Sequence, residues 1–153
     1  MGNIFNEDFI DFISVINKNE VDYMLVGGYS AIVHGVSRTT GVMDIWVRVT
    51  EENYIKLHKA FINFGLSTDD FTRENFLKNS NIDVFTYGRP PVSIDIMKQV
   101  KGLEFDDVYG MSFMYDITKS VQVRVIHKNH LILAKKASGR SKDLDDLENL
   151  KNH

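Results

Sequence analysis

Apolar and polar positions recur along the chain with two periods, one helical and one extended, and these periods predict its elements. Five apolar residues between positions 9 and 16 recur at helical spacing and predict an amphipathic helix over 6–18. The apolar run 23–26 predicts a short buried strand that ends at Gly27-Gly28. A brief helix over 29–34, closed by Gly35, is predicted next.

Residues 42–49 alternate and predict a strand with two distinct faces. Thr50 and the two acidic residues after it predict the start of a helix that ends at Gly65. A shorter helix is predicted over 72–77. One face of the strand carries Met43, Ile45, Val47 and Val49, and the other carries Val42, Asp44, Trp46 and Arg48.

The second half of the chain predicts a hairpin, a further strand and two helices. The hairpin strands are 82–87 and 92–97, joined by a turn at 88–91, and 121–125 alternate as a strand does. Residues 105–109 favour neither helix nor strand. Asn129 and Ser141 are the predicted caps of two helices, one carrying 131–137 and one running to Leu150. This order predicts a single domain over 1–153 with an α/β (α+β) fold, in which helices flank a mixed sheet of four to five strands.

Composition narrows the class of protein. The chain of 153 residues is 43% hydrophobic and 25% charged, as soluble globular domains are. It has no run of 18 apolar residues, no signal-peptide pattern and no cysteine. We therefore expect a cytoplasmic protein that does not bind a membrane and has no disulfide or cysteine zinc site. A net charge of −3 argues against broad binding to nucleic-acid phosphates, although it is compatible with a local basic patch.

Asp44 and Asp95 are the most informative polar residues. Each stands inside an apolar strand, in MDIWV and in SIDIM. An isolated carboxylate buried in a sheet is unfavourable unless it binds a metal ion or a hydrogen-bond donor. If the two strands are neighbours, both side chains point the same way and can share a divalent ion. A position at a strand end or on a solvated face explains the same pattern about equally well.

Other polar residues gain meaning only from their neighbours. Gly27-Gly28 lets backbone N–H groups approach a phosphate, but a tight turn from strand to helix explains the pair on its own. Arg38, in SRTTG, can bind a phosphate through two N–H groups or lie in solvent. Lys135 and Asp143 belong to a segment whose basic and acidic residues also suit the helix dipoles.

The motifs occur in an order that resembles the nucleotidyltransferases of the DNA polymerase beta superfamily. The order is VGGYSAIVHGVSRTTGVMDIWV, then SIDIM, then HLILAKKASGRSKDLDDLENL, which covers about Tyr23 to Leu150. More narrowly, the chain resembles the minimal nucleotidyltransferases grouped with the AbiEii-type toxins of toxin–antitoxin systems. The resemblance implies the nucleotidyltransferase fold.

The resemblance also implies a metal site that departs from the family pattern. In that family an Asp-x-Asp strand and a third Asp from a later strand hold two magnesium ions, which neutralise the triphosphate and the leaving pyrophosphate. The three positions fall on Val42, Asp44 and Asp95 in this sequence. Asp44 and Asp95 are therefore the expected metal ligands and catalytic residues, with Mg²⁺ or Mn²⁺ as the cofactor, and valine replaces one carboxylate. Asp83 is a candidate substitute without independent support.

The resemblance adds Lys135 to the catalytic residues, as the side chain that holds the triphosphate. It assigns nucleotide binding to Gly27, Gly28, Ser30, Arg38 and Asp143.

Three functions stay open at this point. The first is transfer of a nucleoside monophosphate from a nucleoside triphosphate to an unknown hydroxyl acceptor, on RNA, on protein or on a small molecule, with activity weakened by Val42. The second is a catalytically silent relative that binds a nucleotide or a partner, as an antitoxin or regulator does. The third is an α/β domain used only for assembly, for which no nucleotide or metal ion raises the melting temperature. A cognate antitoxin or other partner protein is expected if the AbiEii-type resemblance holds.

Overall fold

In the computed structural model, which describes residues 5–89 and 92–152, the chain folds into seven helices and six strands. The helices are α1 (Glu7–Lys18), α2 (Gly27–Val33), α3 (Glu51–Phe64), α4 (Arg73–Leu77), α5 (Phe105–Tyr109), α6 (Lys128–Ser138) and α7 (Ser141–Lys151). The strands are β1 (Tyr23–Val26), β2 (Val42–Val47), β3 (Val84–Arg89), β4 (Val92–Met97), β5 (Phe113–Asp116) and β6 (Gln122–Val125). No helix in the described ranges is long and apolar enough to cross a membrane.

The strands form one mixed sheet in the order β3-β4-β2-β1-β6-β5. Strand pairs that follow each other in sequence are antiparallel, whereas β2 pairs with β4 and β1 pairs with β6 in parallel. The predicted mixed sheet flanked by helices is therefore confirmed, but it has six strands rather than four to five. The strand missed was β5, which is short, lies at the sheet edge and is largely exposed, so it has no apolar alternation.

The two faces of the sheet carry separate cores, and the alternation along β2 sorts its residues between them as predicted. Met43, Ile45 and Val47 lie in an aromatic-rich core with α1, α3 and α4. Trp46 lies in a smaller core on the opposite face, with residues of α5, α6 and α7. Asp44 alternates with Met43 and Ile45 and so belongs to this second face.

Most predicted helices are present, with local differences at their ends. Thr50 caps α3 as predicted, and its side chain accepts a hydrogen bond from the Asn53 N–H. Residues 105–109, which the sequence left undecided, are helical. The predicted cap of α6 at Asn129 is wrong, because His127 Nδ1 accepts the Asn129 N–H at 3.0 Å. Ser141 does begin α7, but as its first residue rather than as its cap.

The predicted hairpin is present between β3 and β4. Two residues of its predicted turn, Pro90 and Pro91, lie outside the described residues. The helix after the glycine pair starts at Gly27, two residues earlier than predicted, so the pair forms the first turn of α2 rather than a link to it.

Candidate functional site

Asp44 and Asp95 stand side by side on parallel strands. They are register partners in the pairing of β2 with β4, so the two side chains leave the sheet on the same face. The sequence places both acids in apolar strands and predicts that they are neighbours if the two strands pair. The strands do pair. Asp95 also accepts a hydrogen bond from Thr86 Oγ1 at 2.7 Å.

The surroundings of Asp44 disfavour its charged form. Burial, followed by the charge of Asp95, raises the pKa of Asp44 to about 6. The positive charges of Lys142, Lys135 and Arg140 offset this rise only in part. A cation bound beside Asp44 and Asp95 would favour the charged form of Asp44.

Gly27 makes room for the Asp44 carboxylate. A β-carbon at position 27 would lie 2.0 Å from Asp44 Oδ2, so the carboxylate or the backbone would have to shift to admit it. Gly27 also has φ of +67°, a left-handed conformation that glycine adopts without strain. At Gly28 a β-carbon would meet Thr40 and Arg38 at 3.2 and 3.5 Å. The glycine pair is thus explained by close approach to the acidic strand and to the Arg38 loop.

A cavity of about 520 Å³ opens over the carboxylate pair. Its floor is formed by β2 and β4, and Gly27 and Gly28 lie at one side. More cationic than acidic side chains line it, although the whole chain is acidic. The cations are Arg38, Lys101, Lys135, Arg140 and Lys142, and the acids are Asp44, Asp95 and Asp143.

The cations of α6 and of the Arg38 loop are held by buried acids of α7. Lys135 Nζ lies 3.1 Å from Asp143 Oδ1 and 3.0 Å from Asp146 Oδ2, and Arg38 Nη1 lies 2.7 Å from the same Asp146 oxygen. Asp143 also accepts hydrogen bonds from Ser138 and Arg140. Burial by itself raises the pKa of Asp143, but the bonds from Arg140, Ser138 and Lys135 outweigh it and hold that pKa well below its usual range.

The structure brings most of the predicted site residues together in this cavity. Ser30 is the exception, because it is fully buried and its hydroxyl donates to the Gly27 carbonyl at 2.7 Å. Ser30 therefore supports the glycine turn and does not line the cavity. Asp143 lines the cavity wall, but three donors already occupy its carboxylate. Asp83 is exposed, outside the cavity and bonded to Gln99, so it does not take the place of the missing acid.

Asp146 is the functional candidate that the sequence did not single out. Four residues of α7 are buried at helical spacing: Asp143, Asp146, Leu147 and Leu150. In an amphipathic helix such positions carry apolar residues, and here two of the four are acidic. Acids within an apolar helix stripe are the signal that could have identified the pair.

A second cavity of about 680 Å³ adjoins the first on the same face of the sheet. The two share Gln99, Val100 and Lys101 in their walls. Trp46 lines the second cavity. It is two residues beyond Asp44 on the same strand face, a distance along the strand of about 7 Å. Its Nε1 is buried and has no hydrogen-bond partner within the described ranges.

Solved structures with the same architecture are known, although no protein-family profile and no curated protein sequence matches the chain. One is a Thermotoga maritima protein provisionally described as a nucleotidyltransferase, with a TM-score of 0.52 and 12% identity over 93% of this chain and 89% of that one. Another is the lincosamide antibiotic adenylyltransferase LnuA bound to lincomycin, with a TM-score of 0.56 and 16% identity over 98% of both chains. The chain has the nucleotidyltransferase fold. The AbiEii-type subgroup stays a prediction.

Val42 is where this chain departs from the Asp-x-Asp pattern of the family that its sequence resembles. Val42 lines the cavity beside Asp44 and pairs with Ser93, so its side chain brings no ligand atom to the carboxylate pair. Among residues 5–89 and 92–152 no group of three or more His, Asp or Glu residues is arranged to hold a metal ion. Asp44 and Asp95 would supply two carboxylates to a divalent ion, one fewer than the family pattern has.

Proposed function

We propose that this protein binds a nucleoside triphosphate in the main cavity and transfers its nucleoside monophosphate to a hydroxyl acceptor. The pairing of Asp44 with Asp95 on parallel strands, facing a wall of cationic side chains, is the observation that carries this proposal. Paired carboxylates with facing cations suit a triphosphate and its divalent ion. Both compared structures are described as nucleotidyl- or adenylyltransferases, which agrees with this chemistry.

In the proposed reaction the acceptor oxygen bonds to the α-phosphorus, and the bond from that phosphorus to the oxygen bridging to the β-phosphate breaks. Pyrophosphate leaves, and the hydroxyl proton passes to water. Asp44 and Asp95 would hold Mg²⁺ or Mn²⁺, which supplies positive charge against the triphosphate. Lys135 and Arg38 would bind the outer phosphates, and the close backbone at Gly27 and Gly28 would let the phosphate chain approach β2.

The second cavity is the proposed place of the acceptor. Its lining includes Trp46, which lies about 7 Å beyond Asp44 along β2, so a molecule bound there would bring a hydroxyl group to the α-phosphate. An RNA end, a protein hydroxyl and a small molecule all remain acceptor classes. Because LnuA is described as a lincosamide adenylyltransferase, a small-molecule acceptor is included among the acceptors to be tested. An AbiEii-type toxin role and a cognate antitoxin rest on the sequence resemblance alone, and a cytoplasmic location rests on the composition of the chain.

Val42 favours a second candidate function. One carboxylate of the family triad is missing, and losses in the surroundings of a metal already reduce affinity or activity about 10–100-fold. A relative that binds a nucleotide without transferring it, as an antitoxin or regulator would, explains valine at this position. Under the first function, the same valine would make transfer weak or dependent on manganese.

Label transfer tests the proposal and separates the two functions. Each of four α-labelled nucleoside triphosphates would be offered with Mg²⁺ or Mn²⁺ to the protein, in the presence of total RNA, a protein extract and a small-molecule panel that includes lincomycin. The protein would be compared with Val42→Asp and with Asp44→Asn, which keeps the shape of the carboxylate but removes its charge.

Transfer by both the wild type and Val42→Asp, abolished in Asp44→Asn, supports the transferase. Transfer by Val42→Asp alone supports the nucleotide-binding relative, with the site assigned correctly. If neither protein transfers a label and neither is stabilised by a nucleotide, both functions fail.

A further inference from the structure

We infer that Asp146 is a positioning residue, which holds Arg38 and Lys135 together as one phosphate-binding unit. This inference rests on the proposed function, because it concerns how the same cavity binds a phosphate chain. Asp146 is buried at 3% exposure and does not line the cavity. It therefore acts on a ligand only through the two cations that it contacts.

The geometry joins three parts of the chain at one oxygen. Asp146 Oδ2 lies 2.7 Å from Arg38 Nη1 and 3.0 Å from Lys135 Nζ. Arg38 belongs to the loop before β2, Lys135 to α6 and Asp146 to α7. Because both nitrogens contact the same oxygen, they lie within about 6 Å of each other.

Two cations at this separation repel each other unless an anion lies between them. Asp146 supplies that anion from behind the cavity wall. Without it, we expect the partly exposed Arg38 side chain to turn into solvent, since Lys135 is buried and keeps a second partner in Asp143. The buried carboxylate thus holds the Arg38 and Lys135 cations together, which would otherwise separate.

Unused donors remain on both cations after these contacts. The Lys135 ammonium group has three N–H donors and contacts two carboxylates, so one donor is left. The Arg38 guanidinium has five, of which one N–H bonds to Asp146. Both side chains line the cavity, which makes these donors available to phosphate oxygens. Asp146 fixes the geometry in which the two groups meet one phosphate chain.

Calorimetric titration with ATP and with inorganic tripolyphosphate tests this role. The titrations would be run without divalent ions, so that protein cations alone hold the phosphates. Asp146→Asn would be compared with the wild type and with Asp145→Asn, which removes an exposed carboxylate from the same helix. We expect Asp146→Asn to raise the dissociation constants of both ligands at least about tenfold, because it removes the anion that holds Arg38 beside Lys135. Asp145→Asn should leave both dissociation constants unchanged.

The two ligands separate this inference from the proposed function. If the wild type binds tripolyphosphate but not ATP, the nucleotide site is wrong, and the ratio between Asp146→Asn and the wild type for tripolyphosphate still decides the inference. If Asp146→Asn binds both ligands as the wild type does, Asp146 has only a structural role and the inference is overturned. If the wild type binds neither ligand, the titrations are repeated with Mn²⁺. Binding there moves the comparison of Asp146→Asn with the wild type to those conditions, and binding of neither ligand there overturns both the function and the inference.

A second variant guards against loss of folding. Asp146→Glu keeps the negative charge and displaces it by one methylene, which preserves the charge balance of the buried cluster. A positioning role predicts a loss of tripolyphosphate affinity of about threefold at temperatures where the variant is fully folded. A purely structural role predicts a lower melting temperature with unchanged affinity, and that result contradicts the inference.

Discussion

Gly27 touches the Asp44 carboxylate so closely that the two positions are mutually constrained: a β-carbon at 27 would lie 2.0 Å from Asp44 Oδ2. The turn that begins α2 and the acid that marks the cavity floor are therefore one structural unit. Any side chain at position 27 must move the carboxylate or the turn.

Gly27→Ala should destabilise the protein by about 3 kcal/mol. The left-handed backbone costs an L-residue about 1–2 kcal/mol, and the contact with Asp44 adds strain of similar size. Gly65→Ala is the matched control, because Gly65 also has positive φ but a β-carbon added there would meet nothing within 4 Å. Urea unfolding should show a larger loss at 27 than at 65, and Gly27→Ala combined with Asp44→Ala should recover part of it. Equal losses at both sites would show that the contact has no energetic weight.

Asp44 should make the protein less stable as pH rises. Its pKa is raised from 3.8 to about 6 on folding, so between these values the folded state holds a proton that the unfolded state has lost. The free energy of unfolding should fall by up to about 3 kcal/mol as pH increases from about 4 to 6. Asp44→Asn should remove this slope and stabilise the protein above pH 6. Urea titrations of both proteins between pH 4 and 8 would measure it, and parallel curves would contradict it.

A divalent ion should raise the melting temperature through the carboxylate pair. At 100 times the dissociation constant, a single bound ion adds about 2.7 kcal/mol to the free energy of unfolding. We expect Mn²⁺ and Mg²⁺ to stabilise the wild type, with the effect removed in Asp95→Asn and retained in Asp83→Asn. Asp83 is the matched control because it is exposed and lies outside the cavity. Stabilisation that survives Asp95→Asn would place the ion elsewhere.

Asp143 should contribute to acid sensitivity. Its pKa is held below its usual range in the folded state, so its contribution is complete above about pH 4 and is lost as pH falls through the lower folded-state pKa. Asp143→Asn should destabilise the protein by about 3 kcal/mol at pH 7, because it leaves buried Lys135 to share the single carboxylate of Asp146 with Arg38. Thermal unfolding at pH 7 and below pH 4 should show this difference shrinking in acid. A constant difference at all pH values would mean that the charge of Asp143 is not what stabilises the fold.

Much of the fold follows from local patterns in the sequence, because its strands and helices have strong periodicity and ordinary end signals. Thr50 and Gly65 delimit α3 as predicted. What the periodicity misses depends on contacts that it does not specify. The β5 strand exists because β6 offers it an edge, and His127 displaces Asn129 as the α6 cap through a side-chain contact.

The candidate site likewise contains residues that the sequence identified and residues that it did not. Asp44 and Asp95 could be found because acids in apolar strands are unusual. The role of Ser30 was beyond sequence reasoning, since its hydroxyl contacts a carbonyl three residues back rather than the cavity. Asp146 looked like one acid among several in a charged helix, and its place in one helical stripe with Leu147 and Leu150 is what separates it from exposed Asp145.

Trp46 gives the protein an internal optical reporter. It is the single tryptophan of the chain, it is 2% exposed, and its ring packs edge-on against Phe105 at 5.3 Å. It also stands two residues from Asp44 on the same strand face. Intrinsic tryptophan emission from this chain therefore originates beside the carboxylate pair, and a ligand entering either cavity can be followed by fluorescence without attaching a label.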